Sequence, residues 1–182
     1  MHPRAAATPA PHSDAELVRR TSAGDNDALA LLYERHGGRL LTVAYRLLGS
    51  RADAEDVVHD VFVGLPEALR RYDERGSLGA WLRVITARMA LARMRREQLR
   101  GEVDSGADIA APPRDALAAV TLENALRALT PSLRAVVVLR EIEGFTHKEI
   151  ASMLGISRGA SEVRLHRAIA ELRRILGAGE RR

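Results

Sequence analysis

FTHKEIASMLGISRGASEVRLHRA, residues 145–168, decides how the rest of the chain is read. Thr146 and Glu149 form a T-x-x-E capping box that opens a helix. Ile150 and Leu154 share one face of it, and Ala151 is small where a second helix must approach. Gly155 supplies the left-handed residue that ends the helix. Ile156 plugs the turn, and Ser157 caps a following helix. That helix carries Arg158, Arg164, Arg167, Arg173 and Arg174 against only Glu162 and Glu171. A helix, a tight turn and a basic second helix suit entry into a DNA major groove. The plainer alternative for this segment is two ordinary packed helices joined by a glycine turn.

Working outward, every strongly periodic segment is helical. Ser13 and Glu16 predict a capped short helix ending near Gly24. Asp25 opens the next, with Leu29, Leu32 and Tyr33 on one face. Gly37-Gly38 is expected to weaken it, and its apolar stripe continues through Leu40, Leu41, Ala44 and Leu48 to Gly49. Ser50 and Asp53 cap a third helix towards Arg70, which Pro66 is expected to bend or end. Ser77 caps a long helix through Trp81, Ile85 and Met89 to about Arg96. Residues 97–113, EQLRGEVDSGADIAAPP, have no period and read as a flexible linker. Beyond it, about Asp115 to Leu129 reads as helix. Thr130-Pro131 opens another that ends at Gly144, and Gly177 closes the last.

The expected fold is therefore all-α: two small helical domains joined by a flexible linker, the C-terminal one a helix-turn-helix. The expected boundaries are a disordered Ala/Pro-rich tail (1–13), a helical domain (14–96), the linker (97–114), the helix-turn-helix domain (115–177) and a short tail (178–182).

Composition narrows the function. The 182 residues are 46% hydrophobic with only one Trp, three Tyr and two Phe, which suits cores of Leu, Val, Ala and Ile. There is no cysteine, so disulfides and thiolate metal sites are excluded, and a reducing cytosol fits. No apolar run approaches membrane-spanning length, Ala135 to Leu139 being typical, and residues 1–13 lack the core of a signal peptide. The net charge of +4 matters less than its distribution. Residues 83–96 hold Arg83, Arg88, Arg93, Arg95 and Arg96 and no acid, whereas 97–117 hold five acids against Arg100 and Arg114. An uncompensated basic block points to a polyanion.

Two further segments carry candidate surfaces. In AEDVVHDVFVGL (54–65), Val57, Val58, Val61, Phe62 and Leu65 pack inward at helical spacing. Asp56, His59 and Asp60 fall on the other face, joined by Asp53. This stripe is either a docking surface or simply a solvated face with acids near a helix N-terminus. In YDERGSLGAWLRVITARMALARMRR (72–96), a Gly/Ser loop between Tyr72 and Trp81 leads into an arginine-lined helix. The arginines suit phosphate, while a lone Trp at helical spacing is expected in the core. No phosphate loop, nucleophile elbow or paired carboxylates stand out, and the six histidines show no metal-ligand spacing. The reading is of a non-enzyme without cofactor or metal.

Taken together, AYRLLGSRADAEDVVHDVF (44–62), RYDERGSLGAWLRVITARMALARMRR (71–96) and the opening stretch resemble a bacterial RNA polymerase sigma factor of the extracytoplasmic-function (ECF) group, from about Asp25 to Leu176. The resemblance implies a cytoplasmic promoter-specificity subunit with no small-molecule substrate and no membrane insertion. Its acidic helix (Asp53, Glu55, Asp56, Asp60) would dock on the β′ clamp of core RNA polymerase, and its last domain would rest on the β flap. The −10 element would be read and melted around Tyr72, Ser77, Arg83, Arg88, Arg95 and Arg96, with a flipped base held near Tyr72 to Leu78. The −35 element would be read by His147, Lys148, Ser157, Arg158, Ser161, Glu162, Arg164, His166 and Arg167. An anti-sigma factor is implied as a partner. Departures from the family pattern touch base preference: Arg88 and Ala92 stand where Asn and Asp are frequent, and Ala160 and Glu162 where Thr and Lys are common. Glu162 either weakens binding near phosphates or specifies a cytosine amino group. His59 for Gln and Asp60 for Glu are mild changes in the docking helix, where Gly64 and Pro66 are poor helix residues. The alternatives are a free-standing helix-turn-helix regulator, which needs a sensory or dimer domain in the first half, and a helical adaptor that does not read DNA.

Overall fold

The computed structural model describes residues 12–72, 76–104 and 122–179. Those residues form helices and no strand. In the first half these are α1 (Asp14–Ser22), α2 (Asn26–Leu48), α3 (Arg51–Leu69) and α4 (Leu78–Asp104). In the second they are α5 (Leu122–Ala128), α6 (Pro131–Val137), α7 (His147–Leu154) and α8 (Arg158–Gly179). Residues 1–11 of the expected first tail, the loop residues 73–75, most of the expected linker, the first part (115–121) of the helix expected to end at Leu129, and residues 180–182 lie outside the described residues.

Local chemistry sets the helix starts. Ser13 accepts from the Glu16 N–H, although the Glu16 carboxylate turns to His12 rather than closing a reciprocal box. Asp25 accepts from the N–H groups of Asp27 and Ala28, and Ser50 from that of Asp53. Gly49 stands in the left-handed region at φ 77° and ends α2. The expected weak points lie inside helices, and the last helix runs past its expected end. Helix α2 runs unbroken through Gly37-Gly38. Gly37 is buried, and the space a side chain would fill is bordered by the Tyr33 ring. Helix α3 continues past Pro66 to Leu69, and α8 passes Gly177 to Gly179. Helix α4 also runs beyond Arg96 to Asp104, so the start of the aperiodic stretch is helical. That stretch keeps the helix formers Glu97, Gln98, Leu99 and Arg100, and Arg93 donates to Glu97 one turn on.

Helix α2 is the axis of the first half, packed by α1, α3 and α4. Its core joins Leu32, Leu40, Val43 and Leu47 to Val57, Val61 and Leu65 of α3 and to Leu82 and Leu91 of α4. In the second half, α5, α6 and α7 pack on α8 around Leu126, Val136, Leu139, Ile150 and Ala168. The apolar run after α6 continues as a wider π-type turn, Val138–Ile142, that carries the chain to Gly144.

The halves also touch each other, through α2 against α5 and α6 and through α4 against α7. Arg134, only 8% exposed, is the centre of this contact. Its Nε donates to the Leu47 carbonyl at 3.0 Å and its Nη2 to the Leu48 carbonyl at 3.2 Å. Those carbonyls end α2 without intrahelical partners and form the negative pole of its dipole. Burial, and then the neighbouring Arg127, hold the Arg134 pKa below its usual value. Arg83 of α4 reaches Glu143 at 3.3 Å, and Arg127 donates to the Tyr45 hydroxyl at 3.2 Å.

Candidate docking and nucleic-acid interfaces

The buried row of α3, Val57, Val58, Val61, Phe62 and Leu65, turns its other face to solvent. Glu55, Asp56, His59, Asp60 and Val63 are exposed there. The four carboxylates of the stripe are not equivalent. Asp53 is half-buried and its carboxylate takes a bond from Arg93 of α4. Asp56 is exposed but 3.2 Å from the same guanidinium. Glu55 pairs with Arg51 on its own helix, an exposed contact worth little. Asp60 is exposed with no ion pair among the described residues. The accessible acidic edge is therefore Glu55, Asp56 and Asp60, with Asp53 committed to joining α3 to α4.

That arrangement revises the reading of the arginine block. In sequence, residues 83–96 carry five positive charges and no acid. In space, Arg93 is met by Asp53, Asp56 and Glu97, and Arg83 by Glu143. Burial opposes the Arg93 charge, but these carboxylates outweigh it and raise its pKa above the usual arginine value. Arg88, Arg95 and Arg96 stay exposed without an acidic partner among the described residues. Arg83 is half-buried and engaged, so it differs from the other arginines expected to meet DNA.

At the start of α4, Ser77 accepts from the Ala80 N–H at 3.2 Å and stays exposed. Tyr72 donates through its hydroxyl to the Gly76 carbonyl at 2.8 Å, and its ring lies 4.8 Å from that of Trp81. Trp81 is half-buried against the core rather than sealed inside it. The two rings thus border the loop at its described ends; residues 73–75, where a flipped base is expected, lie outside the described residues.

In the helix-turn-helix, the capping box forms as read. The Glu149 N–H donates to the Thr146 hydroxyl, while Glu149 accepts from both the Thr146 hydroxyl at 2.6 Å and its N–H at 2.8 Å. These two bonds, the hydroxyl's first, hold the Glu149 pKa below its usual value. Gly155 ends α7 at φ 66°, and Ser157 accepts from the Ala160 N–H at 3.1 Å. Two residues expected at DNA face inward instead. Ser161 is fully buried at 0% exposure, and its hydroxyl lies 2.9 Å from the half-buried His147 Nδ1. The pair ties α8 to α7, because the buried Ser161 hydroxyl finds its partner in the His147 ring. The exposed face of α8 holds Arg158, Gly159, Glu162, Val163, His166 and Arg167, with Arg164 half-buried beside it and Lys148 exposed on α7. Arg158 donates to Glu162 at 2.9 Å, so that carboxylate is not an unbalanced negative charge on this face.

Sequence reasoning missed Arg134. A lone arginine opening the apolar run Ala135 to Leu139 was the available signal. Nothing local to it could reveal that its partners are the carbonyls ending α2.

Comparison with known proteins fits this organisation. Residues 32–100 match sigma-70 region 2, and residues 119–172 match sigma-70 region 4. Two sigma-70 regions thus lie in order along the chain, one in each helical half. The chain is 32% identical over 166 residues to the RNA polymerase sigma factor CarQ of Myxococcus xanthus, covering 88% of this chain and 95% of CarQ. It is 34% identical over 152 residues to the ECF RNA polymerase sigma factor SigE of Mycolicibacterium smegmatis, covering 78% of this chain but only 59% of SigE. It is 30% identical to the ECF sigma factor BldN of Streptomyces coelicolor over 182 aligned residues, covering 92% of this chain and 69% of BldN. Among solved structures, CnrH in complex with the cytosolic domain of CnrY matches at TM-score 0.54 and 28% identity, covering 89% of this chain and 96% of CnrH. The sigma factor RpoE from Bartonella quintana shares the fold at TM-score 0.59 and 23% identity, covering 80% and 94% of the two chains. The chain belongs to the ECF RNA polymerase sigma factors. The free-standing regulator needed a sensory or dimer domain in the first half, and that half is matched by region 2 instead.

Proposed function

We propose that this chain binds core RNA polymerase and directs promoter-specific initiation, reading a −10 element with the first half and a −35 element with α7 and α8. The observation that carries this is selective pairing. The fold neutralises Arg83 and Arg93 internally and leaves Arg88, Arg95 and Arg96 exposed without acids among the described residues. A row of exposed arginines suits phosphates, which position the protein without specifying sequence.

On this reading, the exposed edge Glu55, Asp56 and Asp60 docks on the β′ clamp, and the second half rests on the β flap. Tyr72, Ser77 and the exposed arginines of α4 hold the opened −10 strand. Lys148, Ser157, Arg158, Glu162, Arg164, His166 and Arg167 meet the −35 duplex, while His147 and Ser161 act by fixing how α8 sits on α7. The protein catalyses nothing itself and needs no cofactor. Promoter work on core polymerase places it in the cytoplasm. An inhibitory protein partner is part of the proposal, supported by the likeness to CnrH, which was solved with part of another protein, CnrY.

The test is co-elution of the full chain with core RNA polymerase, comparing wild type with Asp60→Arg. Asp60 is the better probe than Asp56, because reversing Asp56 would also set two cations against each other at Arg93. Wild type is expected to co-elute and Asp60→Arg to be lost from the complex while keeping its helix content. Failure of the wild type to co-elute would overturn the proposal.

A further inference from the structure

Helix α8 presents an outward face that is polar or glycine at every exposed position from Arg158 to Arg167 except one. Val163 is 52% exposed there, between Gly159 one turn before it and Arg167 one turn after. The other apolar side chains of this stretch, Ala160 and Leu165, are half-buried, and Leu165 packs against the core. Val163 is the sixth residue of α8, within the part of a recognition helix that contacts base edges. The surface at Gly159 is open, since a Cβ there would meet nothing within 4 Å. The surroundings favour nucleic acid: Arg164, His166 and Arg167 share or border the face, and Glu162 is balanced by Arg158.

A valine offers DNA neither a donor nor an acceptor. In the major groove, the complementary apolar group is the 5-methyl of thymine. We propose that Val163 is a specificity-determining residue that reads a thymine methyl in the −35 element. This rests on the −35 reading of α8 given above and adds to it one base and one contact. The residue selects an A·T pair through a methyl rather than through a hydrogen bond. A cytosine at that position loses the methyl and presents an amino group to an isopropyl group that cannot pair it.

The experiment uses the full chain assembled with core RNA polymerase. Promoter duplexes randomised across the −35 region are selected for binding. Each enriched thymine is then replaced by deoxyuridine, which removes only the methyl. Wild type is expected to lose about fourfold in affinity at one of these positions, the equivalent of one methyl group's burial at about 0.8 kcal/mol. Val163→Ser should bind thymine and deoxyuridine equally at that position, and Val163→Thr, which keeps a methyl, should retain part of the preference. Because the side chain is exposed, both variants should melt like wild type. Indifference of the wild type to every deoxyuridine substitution overturns the proposal and leaves Val163 an ordinary surface residue. Undiminished preference in Val163→Ser overturns it in favour of another reader. If no −35 sequence is enriched at all, the −35 reading of α8 fails, and this inference with it.

Discussion

Replacing Arg134 by alanine should loosen the two halves from each other while leaving each half folded. The guanidinium makes two bonds to the last carbonyls of α2, those of Leu47 and Leu48. It lies so close over the cap that a Cβ on Gly49 would fall 2.9 Å from its Nη1. Hydrogen bonds to charged groups are worth about 1.5–3 kcal/mol each when truncated, so the gross loss for the two is roughly 3–6 kcal/mol. Two effects reduce it. The guanidinium itself is desolvated by burial and repelled by Arg127, which together hold its pKa below the usual value. Water can also reach the end of α2 once the halves part. A net of about 2 kcal/mol remains, roughly a thirtyfold shift from closed towards open at 1.4 kcal/mol per tenfold. Small-angle scattering reads the change directly. A closed chain of 182 residues has a radius of gyration of about 16 Å before any contribution from its ends. Arg134→Ala should raise it by several ångströms at unchanged helix content, and Arg134→Lys should fall between, since one ammonium cannot reproduce the planar fork. An unchanged scattering profile in Arg134→Ala would refute the reasoning and show that apolar contact alone holds the halves together.

Other expectations follow from the same structure. Thr146→Ala removes the cap of α7 and should cost about 1 kcal/mol, seen as a lower denaturant midpoint. Because bonding holds the Glu149 pKa below its ordinary 4.5, its stabilisation is present above that pH and disappears as pH falls through the lower folded value. The stability gap between wild type and Glu149→Gln should therefore close on acidification, and a gap constant down to acid pH would contradict the capping role. Ser161→Ala should cost about 1 kcal/mol of stability through the lost tie to His147, seen as a lower melting temperature, and leave the selected −35 sequence unchanged; an altered sequence would show that Ser161 meets DNA after all. Arg88→Ala and Arg95→Ala should each flatten the salt dependence of promoter binding by about 0.7–0.9 in log–log slope if each arginine holds one phosphate, whereas an unaltered slope would remove that arginine from the interface.

The helix-turn-helix was legible because its determinants are local. A capping box, a left-handed glycine and a second cap lie within one turn of the backbone groups they satisfy, so Thr146, Gly155 and Ser157 behave as read. The same holds for Asp25 and Gly49 at the ends of α2. Local reasoning placed the ends of α2 and α3 despite Gly37-Gly38 and Pro66, and misplaced those of α4 and α8, which run on to Asp104 and Gly179. A propensity penalty at one or two residues is small beside the burial of a long helix's apolar face. Of the candidate site, the acidic edge and the basic faces could be placed on their helices. Which members of each face outward could not be, as Ser161 shows: the family resemblance implied a DNA contact for it, and the approach of α7 buried it.

The sequence by itself determined the helices, their caps, the helix-turn-helix and the motif order that marks the family, because all of these depend on spacings of a few residues. The tertiary structure alone decided which charges remain available. Arg93 and Asp53 are 40 positions apart, Arg83 and Glu143 are 60 apart, and Arg134 and Leu47 are 87 apart. Whether such groups meet depends on how each helix is rotated and crossed against the next. That is set by the packing of the whole core, which no window of neighbouring residues contains.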